Sequence, residues 1–229
     1  MAWLRYSVYF LFIAFVTGTL TMLEVHYPGS LKMQVFVGNG DTLGTSEYSP
    51  VELIQLFLVL ICGGLMGWVA QHCPAQRPLA LCFGGIAATA FVRELDYFLD
   101  RNVADNAWQV LIAVIAALVI AYGWRHRRRL QIAMGRTWPS GGLALMFAGA
   151  VILFAFVHFV GHEPFWRALS GEGYQRVVKL TAEEFTELAG YYFWTIGAFE
   201  YAFEARAASR RDPEPVAVRR RRNRLKRRR

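Results

Sequence analysis

The sequence predicts an all-α integral membrane protein: a bundle of about six transmembrane helices, both termini cytoplasmic, with a disordered basic C-terminal tail. Three observations predict it. Of the 229 residues, 55% are hydrophobic, and they gather into long stretches that are apolar all round instead of alternating with polar positions. Six such stretches are long enough to match the ~30 Å hydrocarbon layer. The charges between them are sorted by side. Of the 15 acidic residues in 1–205, 13 fall at one end of the bundle, and the arginine clusters fall at the other.

The predicted helices cover about 4–23, 51–70, 79–99, 107–124, 142–160 and 182–203. Together they make a transmembrane domain, 1–205, and residues 206–229 form a cytoplasmic tail. The first stretch opens with Arg5, as a signal peptide does, but its length reads as a first membrane helix. Loop 24–50 follows. Residues 32–37 have strand propensity, and Gly38, Asn39, Gly40 and Asp41 are turn residues, so the loop is read either as a small extracytoplasmic hairpin or as flexible. In the second helix, Gly63 and Gly67 form a GxxxG pair, a spacing that lets helices approach closely within one chain or between chains. The third helix is thin at Gly84, Gly85, Ala87, Ala88 and Ala90, which predicts a central position. The fourth stops at the arginines from Arg125 to Arg129. The sixth opens with Thr181 and Glu184 in capping-box spacing.

Orientation follows from positive charge. With the amino terminus inside, the inner segments hold 19 Lys/Arg and the outer segments 6. The net charge of +8 belongs to the tail, where 12 Lys/Arg face 2 acids; residues 1–205 carry 13 Lys/Arg and 15 acids. A basic run of this kind is expected to extend by self-repulsion and to bind anionic lipid head groups, each basic residue adding ~1 kcal/mol near the surface. Nucleic acid is an unlikely partner, because no aromatic platform accompanies the run. A membrane-protein partner or a second copy of the chain is the remaining expectation. Compact loops and the absence of paired outer cysteines predict a bacterial inner membrane. Cys62, Cys73 and Cys82 are read as small apolar residues.

The candidate chemistry lies at the acidic end. The third helix ends with Arg93, Glu94, Asp96 and Asp100. On one continuous helix Arg93, Asp96 and Asp100 share a face, with Glu94 about 100° away. Pairing of Arg93 with Asp96 or with a carboxylate of another helix is the structural expectation. The sixth helix opens with Glu183, Glu184 and Glu187, and Glu52 joins from the second. Glu94, Asp96, Glu184 and Glu187 are the candidate catalytic set, because a metal-activated water needs a general base. The fifth helix ends with His158, His162 and Glu163. Histidines four apart on a helix make a two-ligand half-site, and His26 is a candidate third nitrogen. A divalent metal such as zinc is the cofactor this set predicts.

The His158/His162 spacing is similar to the HxxxH pair of metal-dependent membrane hydrolases related to alkaline ceramidases. Their seventh helix and further Ser, His and Asp motifs have no counterpart here. The first functional expectation is therefore a metal-dependent membrane enzyme acting on a lipid or lipid-linked substrate. A non-catalytic scaffold subunit is the alternative, and a small ion or proton-coupled transporter the third reading. Glu200, near the inner end of the sixth helix, is expected either to snorkel or to pair with an inner arginine.

Overall fold

A computed structural model describes residues 2–31, 35–36, 42–43 and 49–211. The basic run 212–229 and most of the loop after the first helix lie outside the described residues. In chain order the elements are α1 (Ala2–His26), the two-residue strands β1 (Val35–Phe36) and β2 (Thr42–Leu43), α2 (Pro50–His72), α3 (Arg77–Arg93), α4 (Asp96–Asn102) and α5 (Ala107–Arg125). Then follow α6 (Arg127–Thr137), α7 (Gly141–Val151), a π-helical turn (Ile152–Phe156), α8 (Val157–Val160), α9 (Glu163–Ser170), a 3-10 turn (Gly171–Gly173) and α10 (Arg176–Arg211). The strands pair antiparallel, Val35 with Leu43 and Phe36 with Thr42, which is the hairpin register; its tip is outside the described residues.

Among the described residues, four helices are long and apolar enough to cross a membrane: α1, α2, α5 and the continuous unit Gly141–Val160. The α3 helix, at 17 residues, is shorter, and α10 carries ionisable residues along its length. Both belong to the bundle. None of the apolar stretch of α5 is buried, and only 6% of that of α1. Their outward side chains, such as Phe10, Phe15, Val110 and Leu118, are apolar and exposed, a surface suited to lipid.

Helix starts follow local chemistry. The Ser49 hydroxyl accepts from the Glu52 amide and the Ser49 amide donates to the Glu52 carboxylate, so α2 opens with a capping box and a proline in its first turn. Ser140 caps α7 by accepting from the Leu143 amide. The expected box at Thr181 and Glu184 is interior, because α10 starts earlier, at Arg176.

The central helix is α10, not the thin third helix that its small residues predicted. One side of α10 takes α2, running in the same direction. Another takes the antiparallel unit α7–π-turn–α8, and α3 reaches it through Phe83, Arg93 and Glu94. The small residues of α3 serve its neighbours instead: Gly84 faces Met66 of α2, and Gly85 faces Val119 of α5.

The closest backbone approach lies between α7 and α10. A Cβ on Gly149 would sit 2.7 Å from the Gly190 carbonyl oxygen and the Trp194 nitrogen, and one on Gly197 would sit 2.5 Å from the Met146 nitrogen. Gly142 meets the Tyr201 backbone in the same way. Gly142 and Gly149 are seven apart, as are Gly190 and Gly197, so two facing glycine pairs bring the helices together along about two turns. The GxxxG pair of α2 has no such role within the chain. A Cβ on Gly63, Gly64 or Gly67 would meet nothing within 4 Å.

At the opposite end from the carboxylates, Arg5 donates from Nε and Nη2 to the Glu200 carboxylate, both at 2.8 Å, and the Tyr9 hydroxyl donates to it at 2.9 Å. This is the expected pairing of Glu200 with an arginine. It fastens α1 antiparallel along α10, supported by Phe12 edge-on to Tyr192. Only Leu20 of α1 is fully buried, so this polar clamp carries much of the attachment. At the same end, Glu204 accepts from the Ser140 hydroxyl and the Gly142 amide, which ties the start of α7 to α10.

The two glycine sets should respond oppositely to a methyl group. Gly149→Ala and Gly197→Ala should each lower stability by about 1–3 kcal/mol, because backbone cannot move aside as a side chain can. Gly63→Ala and Gly67→Ala should be neutral or gain up to ~1 kcal/mol of helix propensity. Thermal unfolding of the four variants in detergent measures this directly.

Candidate functional site

A cavity of about 180 Å³ opens at the end of the bundle where α2 and α10 begin and α3 ends. Glu52 and Gln55 enter from α2, Arg93 and Glu94 from the end of α3, Asp96 from the start of α4, and Glu184 and Glu187 from α10. Glu52 and Gln55 on α2, and Glu184 and Glu187 on α10, are each three apart, so the members of each pair lie on one face. All four candidate catalytic residues, Glu94, Asp96, Glu184 and Glu187, line this one cavity together with Glu52.

The helix break at Glu94 and Leu95 assembles the site. The third predicted helix runs unbroken to Leu99; in the structure α3 stops at Arg93 and α4 restarts at Asp96. Arg93, Asp96 and Asp100 therefore do not share a face of one helix. The turn carries Glu94 inward, where its carboxylate accepts from the Tyr191 hydroxyl at 2.5 Å.

Arg93 crosses to α10 and donates from Nη2 to Glu187 at 2.6 Å, the pairing with a carboxylate of another helix. Glu187 is 5% exposed, and a carboxylate at that depth needs a partner. Gln55 is fully buried. Its Nε2 donates to the Glu184 carbonyl at 3.1 Å and to the Glu184 carboxylate at 3.3 Å. A backbone carbonyl only accepts, so this bond orients the amide. The other amide atom, Oε1, is buried without a hydrogen-bond partner.

Five carboxylates thus surround a single guanidinium, with one carbonyl-type oxygen left unsatisfied. Like charges this close in a partly dry cavity repel strongly unless a cation or protons join them. The lining atom left without a partner, Gln55 Oε1, is an acceptor. The larger hollow at the other end, about 620 Å³, is different. Its buried polar groups satisfy one another: the Tyr201 hydroxyl donates to Gln76 Oε1 at 3.1 Å, and Glu204 is held by Ser140 and Gly142.

The histidines do not line this cavity, although His158 lies close enough to act electrostatically on Glu187. The helix ends at Val160, and His162 has extended backbone as the residue that opens α9. His158 and His162 therefore do not project from one helix, because Gly161 and Pro164 break the run that their spacing implied. Both are exposed, as is His26 at the end of α1. Glu163 is taken by Arg167 one turn on, at 2.6 Å, and this neighbour holds its carboxyl below the usual carboxylate range. Among the described residues, no group of three or more His, Cys, Asp or Glu is placed to hold a metal ion. Cys62, Cys73 and Cys82 are free thiols.

Two residues of the site carried weak signals in the sequence. Gln55 is a lone amide inside an apolar span, three residues after Glu52, and a buried polar group in such a span marks function or a partner. Tyr191 lies one turn beyond Glu187. Its ring belongs to the core, and only the inward turn of Glu94 makes its hydroxyl part of the site.

No protein-family model, characterised protein or solved structure matches this chain. Function is therefore argued from the site itself.

Arg93→Ala should cost about 1–3 kcal/mol, since it leaves the buried Glu187 carboxylate without its guanidinium. Adding Glu187→Gln should recover part of that loss. A thermal-unfolding double-mutant cycle checks this, and purely additive losses would mean that the pair does not support the fold.

Proposed function

We propose that this is a six-span membrane protein whose acidic cavity faces the extracytoplasmic side and binds a cation. The observation that carries the reading is the buried, unpartnered Gln55 Oε1 in a cavity walled by carboxylates. Glu52, Glu94, Asp96, Glu184 and Glu187 surround Arg93, and Gln55 Oε1 is buried and unpartnered among them. A cationic group entering there relieves carboxylate repulsion and satisfies that oxygen in one step.

The orientation rests on the arginines of α6 and the start of α1, which lie at the end opposite the cavity. The basic run after α10 then faces the anionic leaflet and adds membrane attraction. In this arrangement α3 and α10 cross the membrane within a shell formed by the four more apolar spans. A single-cysteine variant at Asp105 should react with a membrane-impermeant maleimide added outside intact cells, and one at Arg128 should react only after lysis. The reverse pattern would overturn the orientation.

A metal-dependent hydrolase draws less support, since no group of three or more His, Cys, Asp or Glu among the described residues is placed to hold a metal ion. A cation-coupled transporter also draws less support, since the middle of the bundle is glycine contact and apolar packing. Purified full-length protein should be titrated with methylammonium, sodium, calcium and zinc while its melting temperature is followed. At least one cation should stabilise it. Glu184→Gln and Gln55→Leu should abolish the shift, and His158→Ala should preserve it. Absence of any cation-dependent shift would sink the reading. A zinc shift lost in His158→Ala would return the site to the histidines.

A further inference from the structure

The cation reading leaves open what the cation is attached to, and a second hollow beside the cavity bears on that. It is a crevice of about 140 Å³ between α3, α5, the π-turn and α10. Thr89, Ile112, Leu153, Phe154 and Trp194 line it, so its walls are almost wholly apolar.

Two residues join the hollows. Arg93 lines both. Tyr191 lines the crevice with its ring and donates its hydroxyl to Glu94, a wall of the acidic cavity. A single layer of side chains therefore separates an acidic chamber from an apolar one. The Arg93 side chain, part of that layer, is itself substantially exposed.

Size points the same way. Neither hollow alone, at 180 and 140 Å³, reaches the ~300 Å³ at which small-molecule sites begin, whereas the two together do. The crevice also lies toward the bilayer. Its α5 wall belongs to a helix whose apolar stretch has no buried residue, and Phe154 at its edge is 68% exposed. The π-turn supplies the Leu153 and Phe154 walls. A π-turn displaces one residue from the helical register, and such turns occur frequently at functional sites.

We infer that the two hollows form one site for an amphiphile with an ammonium head group and an alkyl chain, entering from the bilayer between α5 and the π-turn. This rests on the cation reading of the acidic cavity. The ammonium group takes the place among Glu94, Glu184 and Gln55 Oε1. The chain lies against Ile112, Phe154 and Trp194. The chemistry of the two ends selects this class: a bare metal ion leaves the apolar crevice unused, and a neutral or anionic lipid leaves the carboxylates uncompensated.

The test uses the full chain in a non-ionic detergent and compares butylammonium with decylammonium by their effect on melting temperature. Decylammonium should stabilise at a concentration at least ten-fold lower. Ile112→Trp fills the crevice and should reduce the decyl compound to the level of the butyl compound. Ile120→Trp, on the exposed side of the same helix, controls for bulk and should leave the difference intact. Glu184→Gln should weaken both compounds. Equal potency of the two compounds, or equal effects of the two tryptophan variants, would overturn the amphiphile inference while leaving the cation site standing. No stabilisation by either compound would overturn it together with an ammonium-binding cavity, and decyl binding unchanged in Glu184→Gln would mean insertion elsewhere.

Discussion

Backbone contact between α7 and α10 is the constraint on which the rest of the structure depends. In a membrane no hydrophobic gain drives one apolar helix onto another, so helices associate where their surfaces fit at short range. Gly142, Gly149 and Gly197 let main chain meet main chain along one seam, and Gly190 makes room for the Leu153 and Ile152 side chains. That contact makes α10 the axis of the bundle. With α10 as the axis, Glu184 and Glu187 are held at its upper end and Glu200 and Glu204 toward its lower end. Each pair then finds partners on whichever helices pack around the axis.

The two ends of α10 handle their charges differently. Toward the basic end each carboxylate is matched: Glu200 by Arg5 and Tyr9, Glu204 by Ser140 and a backbone amide. These contacts close the structure by fastening α1 and the start of α7. At the acidic end five carboxylates line one cavity with a single guanidinium: Arg93 holds Glu187, Tyr191 holds Glu94 and Gln55 holds Glu184. A buried acid is costly unless compensated, so a cavity that gathers five carboxylates at one end of the bundle is costly to assemble. Gln55 sharpens the point, because its amide nitrogen is used and its oxygen is not.

Loop geometry decides what reaches the cavity. Continuous helices through residues 94–99 and 158–162 would send Glu94 aside and align the two histidines. Instead the chain breaks after Arg93 and again at Gly161. The first break turns Glu94 toward Tyr191 and starts α4 with Asp96 at the cavity. The second lays α9 down as a short amphipathic segment and commits Glu163 to Arg167. Spacing of three or four residues places side chains together only while the helix continues, and both sites hinge on where it stops.

Much of the architecture was legible in the sequence, because helix length, all-round apolarity and charge asymmetry are local properties set by the bilayer thickness and its two surfaces. They marked the helical segments, the acidic end, and Glu52, Glu94, Asp96, Glu184 and Glu187 as its candidate residues. They also anticipated that Arg93 and Glu200 would pair with residues of other helices. Which helix is central, which glycines touch, and which polar groups end up satisfied are properties of pairs of segments. Gly63 and Gly67 carry the familiar spacing and face open space, whereas the decisive glycines are split between two helices, seven apart on each. Gln55 and Tyr191 became site residues only when α2, α3 and α10 were brought side by side. Tertiary structure decided these points because close approach and hydrogen-bond satisfaction depend on the partner surface, which no single segment encodes.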